Sequence, residues 1–183
     1  TEVNRLVGFE IIQERETSCT IKDLQGESPK DFDQVLRRIF LLLMDAMEGY
    51  VQGAAVFDAP LLQSLEHKHD TITKFVSYCL RILNKQGYSI PKKTNYYYLI
   101  ITSIDRIADV LKFGGRDALR YGKSLHPETL SIMKIIAKDI REYYELFYKF
   151  DRTRIVALDN DRYAVEKAVK DLPESIKVKE VVL

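Results

Sequence analysis

Apolar residues recur at steps of three and four through most of this chain, and that spacing leaves room for little except long amphipathic helices. Phe32, Val35, Leu36, Ile39, Phe40, Leu43, Met44 and Met47 make the first such run. Leu62, Leu65, Ile72, Val76, Cys79 and Leu83 make a second. Tyr97, Ile100, Ile101, Ile104, Ile107, Ala108 and Leu111 make a third, whose phase Ala118 and Leu119 continue. Ile132, Ile135, Ile136, Ile140, Tyr143 and Phe147 carry a fourth. A fifth and shorter one covers roughly 154–172 with Val156, Ala164, Val165, Ala168 and Val169.

The breaks between these runs carry helix start and stop chemistry. Ser28-Pro29 supplies an N-cap and a first-turn proline, with Asp31 and Asp33 near the positive dipole end. Gly53 to Asp58 closes the first helix, and Asp58 with Pro60 opens the second, which Gly87 ends. Pro91 and Thr94 precede the third, in which Gly114-Gly115 is expected to weaken or kink the helix near Phe113. His126-Pro127-Glu128 starts the fourth, and Pro173 stops the fifth. Short connections between long amphipathic helices predict antiparallel neighbours, hence a mainly α, up-and-down helical bundle.

The ends read differently. Residues Arg5–Ile12 and Ser18–Leu24, with polar Gln13–Thr17 between them, predict a small N-terminal β-hairpin. Two strands alone are barely stable, so the hairpin is expected to pack on the bundle, and Ile176–Leu183 alternates enough to join it as a strand. The expected organisation is a β element over 1–27, a bundle over 28–172 and a tail or strand over 173–183.

At 183 residues the chain suits one compact domain with a real core. Lys+Arg 28 against Asp+Glu 27 argues against bulk electrostatic binding of nucleic acid, and so against direct DNA binding by this chain alone. Cys19 and Cys79 have no metal-ligand spacing and read as two buried thiols in a reducing, cytoplasmic setting. No apolar run reads as a membrane span and no signal peptide is evident. The chain begins at Thr1, as a processed or excerpted chain would.

Chemistry concentrates in two carboxylate pairs. Glu66 and Asp70 lie in Leu65-Glu66-His67-Lys68-His69-Asp70; Asp105 and Asp109 lie in Ile104-Asp105-Arg106-Ile107-Ala108-Asp109. Residues at i and i+4 stack on one helix face, where two acids repel by a few tenths of a kcal/mol. Such pairs number five in the chain against roughly four expected by chance, so frequency argues nothing. Placement does. Each pair lies about 120° and 160° from the centre of its helix's apolar stripe, by helical geometry. Glu66, Asp70, Thr73 and Ser77 share that border on one helix, and Thr102 and Arg116 share it on the other. On neighbouring helices the four acids would converge beside the core, where an oxygen-rich site suits Mg, Ca, Mn or iron better than Zn. His69, near the apolar stripe, reads as a satisfied core histidine, and His67 as facing water. Glu66-x-x-His69 has no second copy on another helix, which excludes a ferritin-like di-iron bundle.

Glu66-x-x-x-Asp70 followed by Asp105-Arg106-Ile107-Ala108-Asp109 on the next helix resembles the PhoU family, over roughly residues 30–122. The opening Arg5–Ile12 with Ile21-Lys22-Asp23-Leu24 is similar to the segment preceding the helices in archaeal PhoU-like regulators. The resemblance implies a regulator of phosphate uptake that binds iron or another divalent metal on Glu66, Asp70, Asp105 and Asp109, acts with the phosphate transporter and signalling proteins, and forms a homodimer. The fourth and fifth helices resemble the start of a second repeat without its motif, since Asp159 meets Tyr163 and Asp161 meets Val165. The rival expectation is a metal-free dimerisation or sensor domain of a transcription regulator, its acids simply solvated. Tyr96-Tyr97-Tyr98 and Tyr143-Tyr144 read as packing or partner contacts, no Gly-rich phosphate loop is present, and no nucleophile–base pair supports an enzyme.

Overall fold

The structure, a computed structural model, describes residues 9–14, 18–23 and 32–176. It is mainly helical. Two short strands, β1 (Phe9–Glu14) and β2 (Cys19–Asp23), pair antiparallel with Phe9 opposite Asp23 and Glu14 opposite Cys19. The register slips between Ile11 and Gln13, which face Ile21 and Thr20, so Ile12 is the extra residue of a bulge. The expected helix start at Ser28-Pro29, the residues 5–8 of the first expected strand, and all but the first residue of the strand expected over Ile176–Leu183 lie outside the described residues.

Five long helices follow: α1 (Phe32–Val56), α2 (Ala59–Gln86), α3 (Thr94–Tyr121), α4 (Pro127–Tyr148) and α5 (Arg152–Asp171). The connections obey local chemistry. Phe57 takes a positive φ of 53° after α1, and the Asp58 carboxylate then accepts from the Leu61 amide at 3.0 Å, capping α2. Gly87, at φ 72°, turns the chain out of α2 in the left-handed conformation that glycine adopts without strain. A single 3-10 turn, Pro91–Lys93, leads into α3. Asp151 caps α5 through the Thr153 amide, and one last helical turn, Glu174–Ile176, follows Pro173.

The chain divides into two compact units, Thr1–Leu43 with Lys68–Asp109, and Met44–His67 with Val110–Leu183. In the first, α1 buries Phe32, Leu36, Ile39, Phe40 and Leu43 with Ile72, Val76, Cys79 and Leu83 of α2 and Ile101, Ile104 and Ala108 of α3. Phe32 meets Tyr88 and Tyr97 at ring distances of 5.4 and 5.3 Å. Burial, then the nearby Asp33 charge, pushes the Cys79 thiol up to about 12, which makes it an inert core residue. In the second unit Met44, Met47, Tyr50 and Ala54 of α1 are buried with Leu62 and Leu65 of α2 and Leu111 and Ala118 of α3.

The two glycines of α3 do not break it. A Cβ on Gly115 would stand 2.7 Å from Leu65 Cδ1 and 3.3 Å from the Leu62 carbonyl, and one on Gly114 would stand 3.3 Å from the Tyr50 hydroxyl. They let neighbouring helices approach closely, where the sequence alone suggests a kink. By length and composition α1 is apolar enough to cross a membrane, contrary to the reading of the sequence. Its best window has a mean hydropathy of 1.3 and is 61% buried within the protein, and the core helix of a soluble protein passes the same test.

Candidate functional site

Moving forward along α2 moves backward along α3. In the first unit His69 pairs with Asp109 and Thr73 with Asp105; in the second Leu65 lies against Gly115 and Glu66 pairs with Arg116. The two helices are antiparallel neighbours, and the polar border strips expected of each are the ones that meet.

In the first unit the strip closes around one imidazole. His69 Nε2 lies 2.9 Å from Asp109 Oδ1, and Nδ1 lies 3.1 Å from Asp70 Oδ1. The Thr73 hydroxyl donates to Asp105 Oδ1 at 3.1 Å and sits 3.4 Å from His69 Nε2. A neutral imidazole has one N–H, so it can donate to one of its two carboxylates; only the imidazolium can donate to both. The His69 side chain is 12% exposed, against 37% for Asp70 and 44% for Asp109. A nearly buried ring thus joins two carboxylates that water still reaches.

In the second unit Glu66 is held differently. Arg116 donates from Nε to Oε2 at 2.9 Å and from a terminal nitrogen to Oε1 at 2.6 Å, a two-pronged pairing that matches guanidinium to carboxylate. The same guanidinium lies 5.5 Å from the centre of the Phe113 ring.

Of the four expected ligands, then, Asp70, Asp105 and Asp109 belong to one hydrogen-bonded group with His69 and Thr73, while Glu66 is engaged by Arg116. His67 is exposed, as the sequence suggests. His69 is nearly buried with both ring nitrogens partnered, the satisfied core histidine that the sequence suggests. What the sequence reading missed is that its partners are two of the expected ligands, Asp70 and Asp109. Its position beside Asp70, one turn before Thr73, was the available signal. Among the described residues no three His, Cys, Asp or Glu side chains converge closely enough to hold a metal ion. The donor set itself, three carboxylates and one imidazole from two packed helices, suits a divalent cation. For binding, the carboxylates must turn toward one another and one ring nitrogen of His69 must be bare of hydrogen. Comparison with protein-family models, curated proteins and solved structures finds no match for this chain.

Proposed function

We propose that this chain is a PhoU-like regulator of phosphate uptake or phosphate signalling: a non-catalytic, cytoplasmic homodimer that works through contacts with transporter or signalling proteins. In this reading it takes iron or another divalent cation on Asp70, Asp105 and Asp109, with His69 as a nitrogen donor. Glu66 contributes only where it leaves Arg116. The observation that carries the reading is the meeting of the acids of α2 and α3 through His69 and Thr73. Cation affinity in such a site depends on pH, because the imidazole must be neutral to ligate.

Equilibrium dialysis of the full chain against Mn²⁺, and against Fe²⁺ without oxygen, tests this. Wild type is expected to bind, and Asp105→Asn with Asp109→Asn to weaken binding about tenfold or more. A second reading, a metal-free dimerisation or sensor module, is favoured by one observation: Glu66, Asp70, Asp105 and Asp109 all have a hydrogen-bonding partner within the protein already. No saturable binding, or binding that the double variant leaves untouched, establishes that second reading in place of the first.

A further inference from the structure

α3 carries a second row of apolar side chains besides the one it buries. Tyr96, Leu99 and Val110 stand 68%, 64% and 69% exposed, and Ile107 is exposed as well. With Ser103 and Arg106, both exposed, they follow one another at helical spacing along one face. By helical geometry the centre of that face lies about 130° round the helix from the buried Ile101, Ile104, Ala108 and Leu111. The Tyr96-Tyr97-Tyr98 triplet divides accordingly: Tyr97 packs against Phe32 and Tyr88, and Tyr96 is left facing water. Exposing such a row to water stabilises nothing, and steps of three and four are those along which a second helix packs.

The free charges on this face are of one sign. Lys92 and Lys93 precede the row in the 3-10 turn, and Arg106 interrupts it between Leu99 and Val110. All three are exposed, and no acid among the described residues pairs with them. The acids beside Arg106 in sequence are engaged by α2, Asp105 by Thr73 and Asp109 by His69.

We propose that this face of α3 is the docking surface for an amphipathic helix of a partner protein, one with apolar residues at steps of three and four and acidic residues beside them. Tyr96, Leu99 and Ile107 supply the apolar contact, and Lys92, Lys93 and Arg106 select the glutamates and aspartates of the partner. A second copy of this chain does not meet that requirement. Parallel pairing along the row sets Arg106 against Arg106. Antiparallel pairing that matches Leu99 with Val110 leaves the two Arg106 residues only about 4.5 Å apart along the axis, three residues of helical rise. Like charges so placed repel, whereas an acidic helix neutralises them. The proposal rests on the regulatory reading above in needing a partner protein, but not on its cation, so the Mn²⁺ dialysis and the experiment below fail separately.

The probe is a synthetic helical peptide with leucine at steps of three and four and glutamate at the flanking positions; its control carries lysine for every glutamate. Both are titrated with the full chain, read by fluorescence anisotropy of the labelled peptide and by the amide resonances of α3. The glutamate peptide is expected to bind saturably, to shift residues 96–107 most, and to weaken as salt is added. The lysine peptide is expected to bind about tenfold or more weakly. Leu99→Ser alters an exposed side chain, so the fold should stand, and it is expected to weaken the glutamate peptide about tenfold. Arg106→Glu is expected to narrow or reverse the preference between the two peptides. No binding of the glutamate peptide, equal binding of both peptides, or an affinity that both variants leave unchanged overturns the proposal. Two further outcomes overturn it in favour of another occupant. Dimerisation in sedimentation equilibrium that Leu99→Ser abolishes assigns the face to a second copy. Binding to phosphatidylglycerol vesicles that Leu99→Ser abolishes, and that the glutamate peptide does not displace, assigns it to a lipid surface.

Discussion

The three long helices α1, α2 and α3 and the pair α4 and α5 start from the same helical periodicity and end with different degrees of burial. Phe32, Leu36, Ile39, Phe40 and Leu43 of α1 are all buried, as are Leu62, Leu65, Ile72, Val76, Cys79 and Leu83 of α2. Of the fourth apolar run only Ile132 is fully buried, and Tyr143 is 40% exposed. α5 itself has no fully buried residue, and only Leu172, which follows it, is buried at the end of the fifth run. An apolar stripe states which face a helix would bury. How much it does bury depends on how many neighbours that face meets, and α5 meets chiefly α4. Large aliphatic and aromatic side chains fill the interior of the first set. The partly buried apolar face of α5 is instead Leu158, Val165, Ala168 and Val169, mostly small side chains that remove little surface from water, and Val156 and Ala164 of the expected stripe are exposed.

That contrast is easiest to break with large-to-small substitutions. Ile72 of α2 is fully buried, so Ile72→Ala should destabilise the protein by about 2–5 kcal/mol through lost burial and the cavity left behind. Val156→Ala on α5 should change stability by less than about 0.5 kcal/mol, since its side chain already faces water. Urea unfolding of the two variants side by side measures both. Comparable losses would mean that α5 is as firmly packed as α2, and the contrast would fail.

Gly115 sharpens the same comparison at the level of the backbone. Alanine is the better helix former by about 1 kcal/mol, so on an open face Gly→Ala would stabilise. Here the added Cβ would meet Leu65 at 2.7 Å and the Leu62 carbonyl at 3.3 Å, and the second of these is backbone that cannot swing aside. Overpacking of this kind typically costs about 1–3 kcal/mol, leaving Gly115→Ala destabilised by about 1 kcal/mol after the propensity gain. A stabilised variant would show that the helices can separate at this level without penalty.

The sequence disclosed the helices well because periodicity and caps are local. Asp58 followed by Pro60 marks the α2 start, and the Asp58 carboxylate caps it in the structure. Gly87 stands just past the end of α2 with positive φ, as a C-terminal glycine does. Contacts between helices were less legible. Ile107 shares the apolar phase of α3, yet is exposed, because the stripe is wider than the face its neighbours cover. Gly114-Gly115 looks like a weak point in one helix until Tyr50 and Leu65 are placed against it. The candidate site divides in the same way. Helical angle put Glu66, Asp70, Asp105 and Asp109 on the right borders, but angle cannot say which partner each acid takes. Arg116 and His69 become partners only through the antiparallel register of α2 on α3, a nonlocal fact.

The smallest effect bears most directly on function. Glu66 and Arg116 are each about half exposed, so even their two-pronged pairing should contribute only about 0.5–1 kcal/mol. A double-mutant cycle of Glu66→Gln and Arg116→Met should return a coupling of that size, shrinking as salt is added because exposed charges are screened. The same variants separate the two halves of the polar strip. With the guanidinium removed in Arg116→Met, Glu66 loses its competing cation. If Glu66 is then free to ligate, Mn²⁺ affinity should rise; if the cation belongs to Asp70, Asp105, Asp109 and His69 alone, it should stay within about threefold of wild type, as a remote surface change would leave it. Since Glu66 is not a member of the hydrogen-bonded group that His69 and Thr73 make with the other three acids, the unchanged affinity is the expected result. A rise of tenfold or more would return Glu66 to the ligand set and make Arg116 the residue that holds it in reserve.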